Sequence, residues 1–223
     1  RGIVETLRDW LKRYVLVSDP KDLDIIALWI IHTHLAEELY TSPRLLIDSP
    51  VPGSGKTTLL EHISKFAKAP AQMALISSSA LLGRITANGI RTLLIDEADR
   101  ALDPKKPGVG DLIALLNSGY KRGSTRPVNV QKNKDWEIVE MPTYSPVAIA
   151  GNTPLLPEDT RSRCIVVRLL PDISGVAFES DWEFLDLPAY QLKLDIEATC
   201  ESYREEVKTL NPQLPKECRN RFK

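Results

Sequence analysis

The stretch that most constrains this chain is LLIDSPVPGSGKTT at 45–58. Residues 45–48 have strand character, a glycine-rich turn follows, and a helical pattern starts at its end. Within the turn, Gly53-Ser54-Gly55-Lys56-Thr57 matches the second half of a phosphate-binding loop. Glycines let backbone N–H groups converge on phosphate oxygens with no Cβ in the way. The helix N-terminus adds its partial positive charge. On this reading Pro52, Gly53, Ser54, Gly55, Lys56, Thr57 and Thr58 surround the phosphates of ATP. Lys56 reaches the β- and γ-phosphates and Thr57 ligates Mg²⁺. Pro50 stands where the first glycine of G-x-x-x-x-G-K-[ST] would be. That stiffens the entrance of the turn and leaves its phosphate-facing part intact. The competing reading is a Gly/Ser turn that merely precedes a helix.

A second stretch fits the first. Arg91-Thr92-Leu93-Leu94-Ile95-Asp96-Glu97 is an apolar run ending in adjacent carboxylates, and Asp96 follows Lys56 by forty residues. Such a run reads as a buried strand whose C-terminal end meets the ligand. Asp96 would hold the Mg²⁺ shell and Glu97 would polarise the attacking water. An acid pair after a strand also serves as a helix N-terminal cap; the upstream loop favours the catalytic role. Asp96-Glu97-Ala98-Asp99 spells the signature of another helicase class, but those enzymes need a second RecA-like domain. A chain of 223 residues leaves no room for one beside its helical parts. Residues 146–152 form another buried strand, ending in Asn152, which can orient the lytic water or touch the γ-phosphate. Arg161 and Arg163 precede a strand at 165–169. They either pair with surface acids or supply an arginine finger to a neighbouring subunit's nucleotide.

The remaining pattern is α/β. Apolar spacing predicts helices at 3–17 and 21–40, a continuation of the loop's helix at 59–68, a strand at 71–76 and helices at 79–87 and 109–117. A loop at 171–186 and an amphipathic helix at 188–210 follow, and a further helix begins at 218–223. Residues 126–131 and 136–141 alternate as a hairpin with a polar tip. From Asn117 to Lys134 there are five basic residues (Lys121, Arg122, Arg126, Lys132, Lys134) and no acid, in a chain of net charge −1. This strip is either a solvated edge carrying lysines or a nucleic-acid contact. Cys164, Cys200 and Cys218 form no C-x-x-C pair and read as reduced thiols of a cytosolic protein. His32-Thr33-His34 reads as a partly buried helix face rather than a metal site. There is no signal peptide and no run of about 18 apolar residues, so no membrane span is expected. Opening on Arg1 and stopping inside a helix start, the chain reads as a piece of something longer.

In order, Gly53–Thr58, Leu94–Asp99, Asn152 and Ser162-Arg163 resemble the Walker A, Walker B, sensor 1 and arginine-finger motifs of AAA+ ATPases. The hairpin before sensor 1 resembles that of the branch containing the minichromosome-maintenance and viral superfamily-three helicases. In closer detail the chain is similar to the family catalogued as domain of unknown function 3631, which occurs in phage and mobile-element proteins beside primase-like modules. The stretches that carry this likeness are 27–30, 42–50, 92–99 and Leu116-Asn117-Ser118-Gly119. The resemblance implies an AAA+ fold with a central parallel sheet. It implies an N-terminal helical segment at 1–42, a nucleotide-binding core at 43–172 with the hairpin inserted at 119–145, and a helical lid at 173–223. It implies a cytoplasmic ATPase using ATP and Mg²⁺, assembled as a hexamer. That ring would drive a DNA helicase or translocase, with a primase-like module on the same or a partner chain. The alternative is a nucleotide-gated assembly switch or loader acting on a protein. Lys56, Glu97, Asn152 and Arg163 (preferred to Arg161) would be catalytic, and Thr57 and Asp96 would hold the metal. Arg221 would be a sensor-2 contact to ATP. Lys132 and Lys134, with Lys121 and Arg122, would grip single-stranded DNA.

Overall fold

The computed structural model describes residues 2–73, 89–132 and 135–210. The helix expected at 79–87, the end of the strand expected at 71–76, Lys134, Cys218, Arg221 and the final helix lie outside the described residues. Of Lys132 only the backbone is described. The strands are β1 (Leu16–Val17), β2 (Arg44–Asp48), β3 (Pro70–Met73), β4 (Thr92–Ile95), β5 (Thr125–Lys132), β6 (Asp135–Pro142), β7 (Val147–Gly151) and β8 (Cys164–Leu170). The helices are α1 (Ile3–Leu11), α2 (Lys21–His34), α3 (Lys56–Phe66), α4 (Ala98–Ala101), α5 (Val109–Ser118), α6 (Glu158–Arg161) and α7 (Trp182–Thr209).

The apolar runs in β2, β4 and β7 are buried on both faces, which is why they do not alternate with polar residues. They form the centre of a mixed sheet ordered β1-β8-β2-β7-β4-β3. All its pairings are parallel except that of β1 with β8. Leu45, Ile47, Leu94, Ala148, Ala150, Val167 and Leu169 face a layer built from α1, α2, α3 and α7. Leu46, Leu93, Ile95, Val147 and Ile149 face α4 and α5. The protein is therefore α/β, with helices on both faces of a mostly parallel sheet. The hairpin β5–β6 is a separate two-stranded sheet in the register Val128↔Val139. Among the described residues, no helix is long and apolar enough to cross a membrane.

Several element boundaries differ from expectation. The helix predicted at 3–17 stops at Leu11, because Leu16 and Val17 pair with Leu170 and Leu169 as an edge strand. The helix predicted at 21–40 stops at His34. There the imidazole Nε2–H donates to the Phe66 carbonyl (2.7 Å), tying the helix end to the end of α3. The helix predicted from Pro188 begins six residues earlier at Trp182, and Pro188 lies inside it. Its start is set by Asp181, whose carboxylate accepts from the Glu183 N–H (3.1 Å), a side-chain N-cap. The short helices α4 and α6 follow the acid pair and the Pro157 turn; neither has the length that a periodic pattern needs.

His62, on α3, joins three of the helices. Its Nδ1 accepts from the Trp10 indole N–H (3.1 Å), which leaves its own proton on Nε2, within 2.8 Å of Ser180 Oγ. Tyr14 stacks on the ring and Trp182 packs beside it. Burial, and secondarily Arg13, push its pKa down to about 4. The fold thus favours the neutral ring, whereas the unfolded ring titrates near 6.5. His62 contributes its stability in full above pH 6.5 and loses it as the pH falls toward 4. Urea unfolding of wild type and His62→Gln over that window tests this. The variant is expected to lack up to about 1.4 kcal/mol per pH unit of the wild type's decline.

Candidate active site

β2 ends at Asp48, and the chain turns through Pro50–Gly55 into α3. Gly53 (φ 74°) and Gly55 (φ 82°) both adopt the left-handed conformation. A Cβ at Gly53 would meet nothing within 4 Å, so the backbone angle, and not space, requires glycine there. Gly55 is the N-cap of α3, and its carbonyl accepts the first helical bond from Leu59 N (2.8 Å). The Ser49 and Ser54 hydroxyls lie 2.6 Å apart, and Ser54 Oγ is 2.8 Å from the Val51 carbonyl, which knots the base of the turn. A concavity of about 290 Å³ is lined by Gly53, Ser54, Gly55, Lys56, Thr57 and Thr58.

Lys56 Nζ donates to Val51 O (3.2 Å) and Ser54 Oγ (3.1 Å). Its pKa is lowered by partial burial, against the opposing pull of Asp99, Asp96 and Asp48. Thr57 Oγ1 donates to Asp96 Oδ2 (2.9 Å), so the hydroxyl after Lys56 and the first acid after β4 meet at the start of α3. Both are hard oxygen ligands, as Mg²⁺ requires. Among the described residues no three His, Cys, Asp or Glu side chains converge as a metal cage. A cation at Thr57 and Asp96 would take its remaining ligands from phosphate and water, which is how Mg²⁺ is usually held.

Glu97 is exposed, with φ 49° and ψ 42°, and its carboxylate pairs with Arg100 (3.3 Å). Such a backbone conformation is costly for a non-glycine residue. Asp96 Oδ1 accepts the Glu97 N–H (2.8 Å), which helps hold it. Asn152 follows β7, the strand between β2 and β4, and is exposed. The structure thus gathers Lys56, Thr57, Asp96, Glu97 and Asn152 at one end of the sheet, beyond the C-terminal ends of β2, β4 and β7.

Two acids at this end were assigned no role from the sequence. Asp48 Oδ1 accepts from Thr153 N (3.0 Å), and Asp99 Oδ1 accepts from Asn152 N (3.1 Å). Asp48 closes an apolar strand just as Asp96 does, and that signal could have found it.

The arginines are divided. Arg161 Nη2 lies 3.9 Å from Asp48 Oδ2. Arg163 sits at the start of β8, where its carbonyl accepts from Arg44 N, at the opposite end of the sheet from Lys56. Its guanidinium lies over the Tyr120 ring and pairs with Asp159 (3.6 Å). Arg163 Nε, Asn117 Oδ1 and Thr160 Oγ1 are buried without a hydrogen-bond partner among the described residues.

On the hairpin side, Lys121 packs its ammonium near the Tyr120 ring, and Arg122 donates to the Glu37 carbonyl (2.9 Å). Arg126 pairs with Asp111 (3.4 Å). The partner strand β6 brings exposed Asp135, Glu137 and Glu140 opposite the basic strip. Trp136 and Ile138 on the same strand are 69% and 73% exposed.

No protein-family model matches the chain, and no curated protein matches it. Among solved structures it is similar to the apo structure of the NrS-1 C-terminal region (305–718), with 16% identity and a TM-score of 0.49 over 93% of this chain. It is also similar to the A-form apo structure of that region, with 16% identity and a TM-score of 0.46 over 95% of this chain. The chain spans 45% of the length of each.

Proposed function

We propose that the chain is an ATPase of the AAA+ P-loop type whose turnover drives a ring-shaped DNA helicase or translocase, with phage or mobile-element replication as its setting. The observation that carries the proposal is the 2.9 Å bond from Thr57 Oγ1 to Asp96 Oδ2 at the N-terminus of α3. It joins the two oxygen ligands that a nucleotide-bound Mg²⁺ requires, beside Lys56 and under a glycine turn. The position of β7 between β2 and β4 supports the rest, since it sets Asn152 between the Lys56 turn and the Glu97 turn. Ligands bind beyond the C-terminal ends of strands where the strand order reverses, and here the connections run from β2 toward β3 and later from β7 back across to β8.

In this reading Lys56 neutralises charge on the transferring phosphoryl group, and Glu97 with Asn152 aligns the water. Thr57 and Asp96 would hold Mg²⁺, which would supply positive charge against the phosphates. Arg163 lies at the far end of the sheet from its own Lys56, so it would serve a neighbouring copy's nucleotide, in an assembly we take to be a hexamer. Lys132 and Lys134 at the hairpin tip would hold phosphates of a single strand. The test is steady-state ATPase of the purified chain with and without single-stranded DNA, with mass in solution recorded. Several-fold stimulation, lost at high salt and in Lys132→Ala/Lys134→Ala, is expected. One observation favours a second reading, a nucleotide-gated switch acting on a protein: Asp135, Glu137 and Glu140 of β6 offset the basic strip. Turnover in an oligomer that ignores DNA would favour that reading.

A further inference from the structure

Asp99 is the last letter of the acidic tetrad, and nothing in the hydrolysis scheme above uses it. Its surroundings are specific. Asp99 Oδ1 accepts the backbone N–H of Asn152 across a sequence gap of 53 residues (3.1 Å). The residue before that amide, Gly151, packs directly on Asp99. A Cβ there would stand 3.1 Å from Asp99 N and 3.1 Å from Asp99 Oδ1. Gly151 has ordinary strand geometry, so close approach, and not backbone angle, asks for glycine. One residue on, the Thr153 N–H is held by Asp48 Oδ1 (3.0 Å) in a left-handed conformation (φ 48°) that a β-branched residue adopts only when its neighbours impose it. Asp48 is itself buried at the end of β2.

We infer that Asp99 and Asp48 form a two-carboxylate clamp on the Asn152–Thr153 backbone, with Asp99 the positioning residue that fixes Asn152 relative to Glu97. The inference rests on the ATPase reading. The reach of the clamp follows from chain geometry. Asp99 and Glu97 share the single helical turn of α4, where Arg100 N and Ala101 N both bond the Glu97 carbonyl. Asp48 lies on the strand that leads into the glycine turn. Through two hydrogen bonds, the Asn152–Thr153 backbone is tied both to the turn that carries Glu97 and to β2, the strand that leads into the Lys56 turn. Effective alignment depends on ångström-scale placement. Loosening the clamp should therefore lower kcat; the Asp99 charge that acts on Lys56 is lost equally in alanine and asparagine variants, so a difference between the two reads the hydrogen bond alone.

The experiment uses the full chain as wild type, Asp99→Ala, Asp99→Asn and Gly151→Ala. It reads Asn152 amide exchange by NMR, MgATP binding by fluorescence titration, and kcat with KM. Asparagine keeps an acceptor oxygen for the Asn152 amide and removes the charge; alanine removes both. Expected results for Asp99→Ala are Asn152 exchange at least tenfold faster and kcat at least tenfold lower, with KM within threefold of that of Asp99→Asn. Asp99→Asn is expected to recover most of the protection and of kcat. Gly151→Ala, which presses a methyl group on Asp99 with the acid intact, is expected to shift Asn152 exchange and kcat in the same direction by a smaller factor, and it serves if Asp99→Ala fails to fold. Asn152 protection unchanged in Asp99→Ala, kcat within twofold of wild type, or Asp99→Asn as impaired as Asp99→Ala would each overturn the inference. A wild-type chain that neither binds nor hydrolyses MgATP would instead overturn the ATPase reading, and with it the catalytic role of the clamp.

Discussion

Lys56→Ala is expected to lose both MgATP binding and turnover, whereas Glu97→Gln is expected to keep binding and lose only turnover. Lys56 is the cation at the mouth of the glycine turn, and its present partners are a carbonyl, Val51 O, and a hydroxyl, Ser54 Oγ. A phosphate oxygen offers it a charge-assisted bond, about twice as strong as a neutral one. The ammonium therefore has reason to leave those partners, and its loss affects ground state and transition state alike. Glu97 differs. It stands outside the glycine turn, and among the described residues its ion pair is with Arg100, where both side chains are largely exposed and the pair is worth little. Its carboxylate is thus free to engage water at small cost, from a backbone held in the left-handed region by the Asp96 carboxylate. Losing a positioned base lowers rates by about 10²–10⁴-fold. Phosphate release should therefore fall by at least about 100-fold in Glu97→Gln, with the MgATP dissociation constant within a few-fold of wild type. Normal turnover in Glu97→Gln would remove Glu97 from its role. Equal loss of binding in the two variants would make the acid a structural cap.

The features that were legible from sequence are local ones. The glycine turn announces itself because Gly53 and Gly55 must adopt left-handed angles in adjacent places, and the strand before it and the helix after it are contiguous in the chain. β4 and β7 are legible because continuous apolar runs, each ended by a polar residue, have few other uses. The hairpin is legible from alternation alone. What escaped was decided by partners distant in sequence. Leu16 and Val17 suit an amphipathic helix as well as a strand, and only the β8 edge chooses between them. Pro188 resembles a helix start; Asp181 is the real cap, seven residues earlier, and the apolar face of α7 carries the helix through the proline. Asp48 and Asp99 acquire partners only after β7 is inserted between β2 and β4. The basic strip at 117–134 ends just past β5, and the acids that oppose it come from β6, later in the chain and brought alongside only by the hairpin pairing.

A larger expected effect on stability lies at Gly119, where the hairpin leaves α5. A Cβ there would stand 2.3 Å from the Thr143 carbonyl oxygen and 3.1 Å from that of Leu115. The φ is −69°, so the demand for glycine is purely one of space. Nor can the backbone it would strike give way easily. Thr143 N is bonded to Ser124 O (2.9 Å), and Ser145 N to Gly119 O itself (3.2 Å). Behind them, the fully buried Arg44 guanidinium bonds the Leu116 and Ser145 carbonyls at once, its pKa lowered to about 10 chiefly by burial. Separating the end of α5 from the 143–145 segment would strip a buried cation of its acceptors, which is among the costlier losses a core can suffer. Gly119→Ala is therefore expected to destabilise by about 3 kcal/mol or more, lowering Tm by on the order of 10 °C. Gly123→Ala is the control: it has φ 85° and nothing within 4 Å of its Cβ, so only the left-handed backbone is penalised, at about 1 kcal/mol. Denaturant melts of the two variants side by side would decide the matter, and comparable losses would mean that the Gly119 junction yields more readily than its hydrogen bonds imply. If the larger loss is found, the hydrogen bonds around Gly119 hold the base of the hairpin against α5 with no slack for a methyl group.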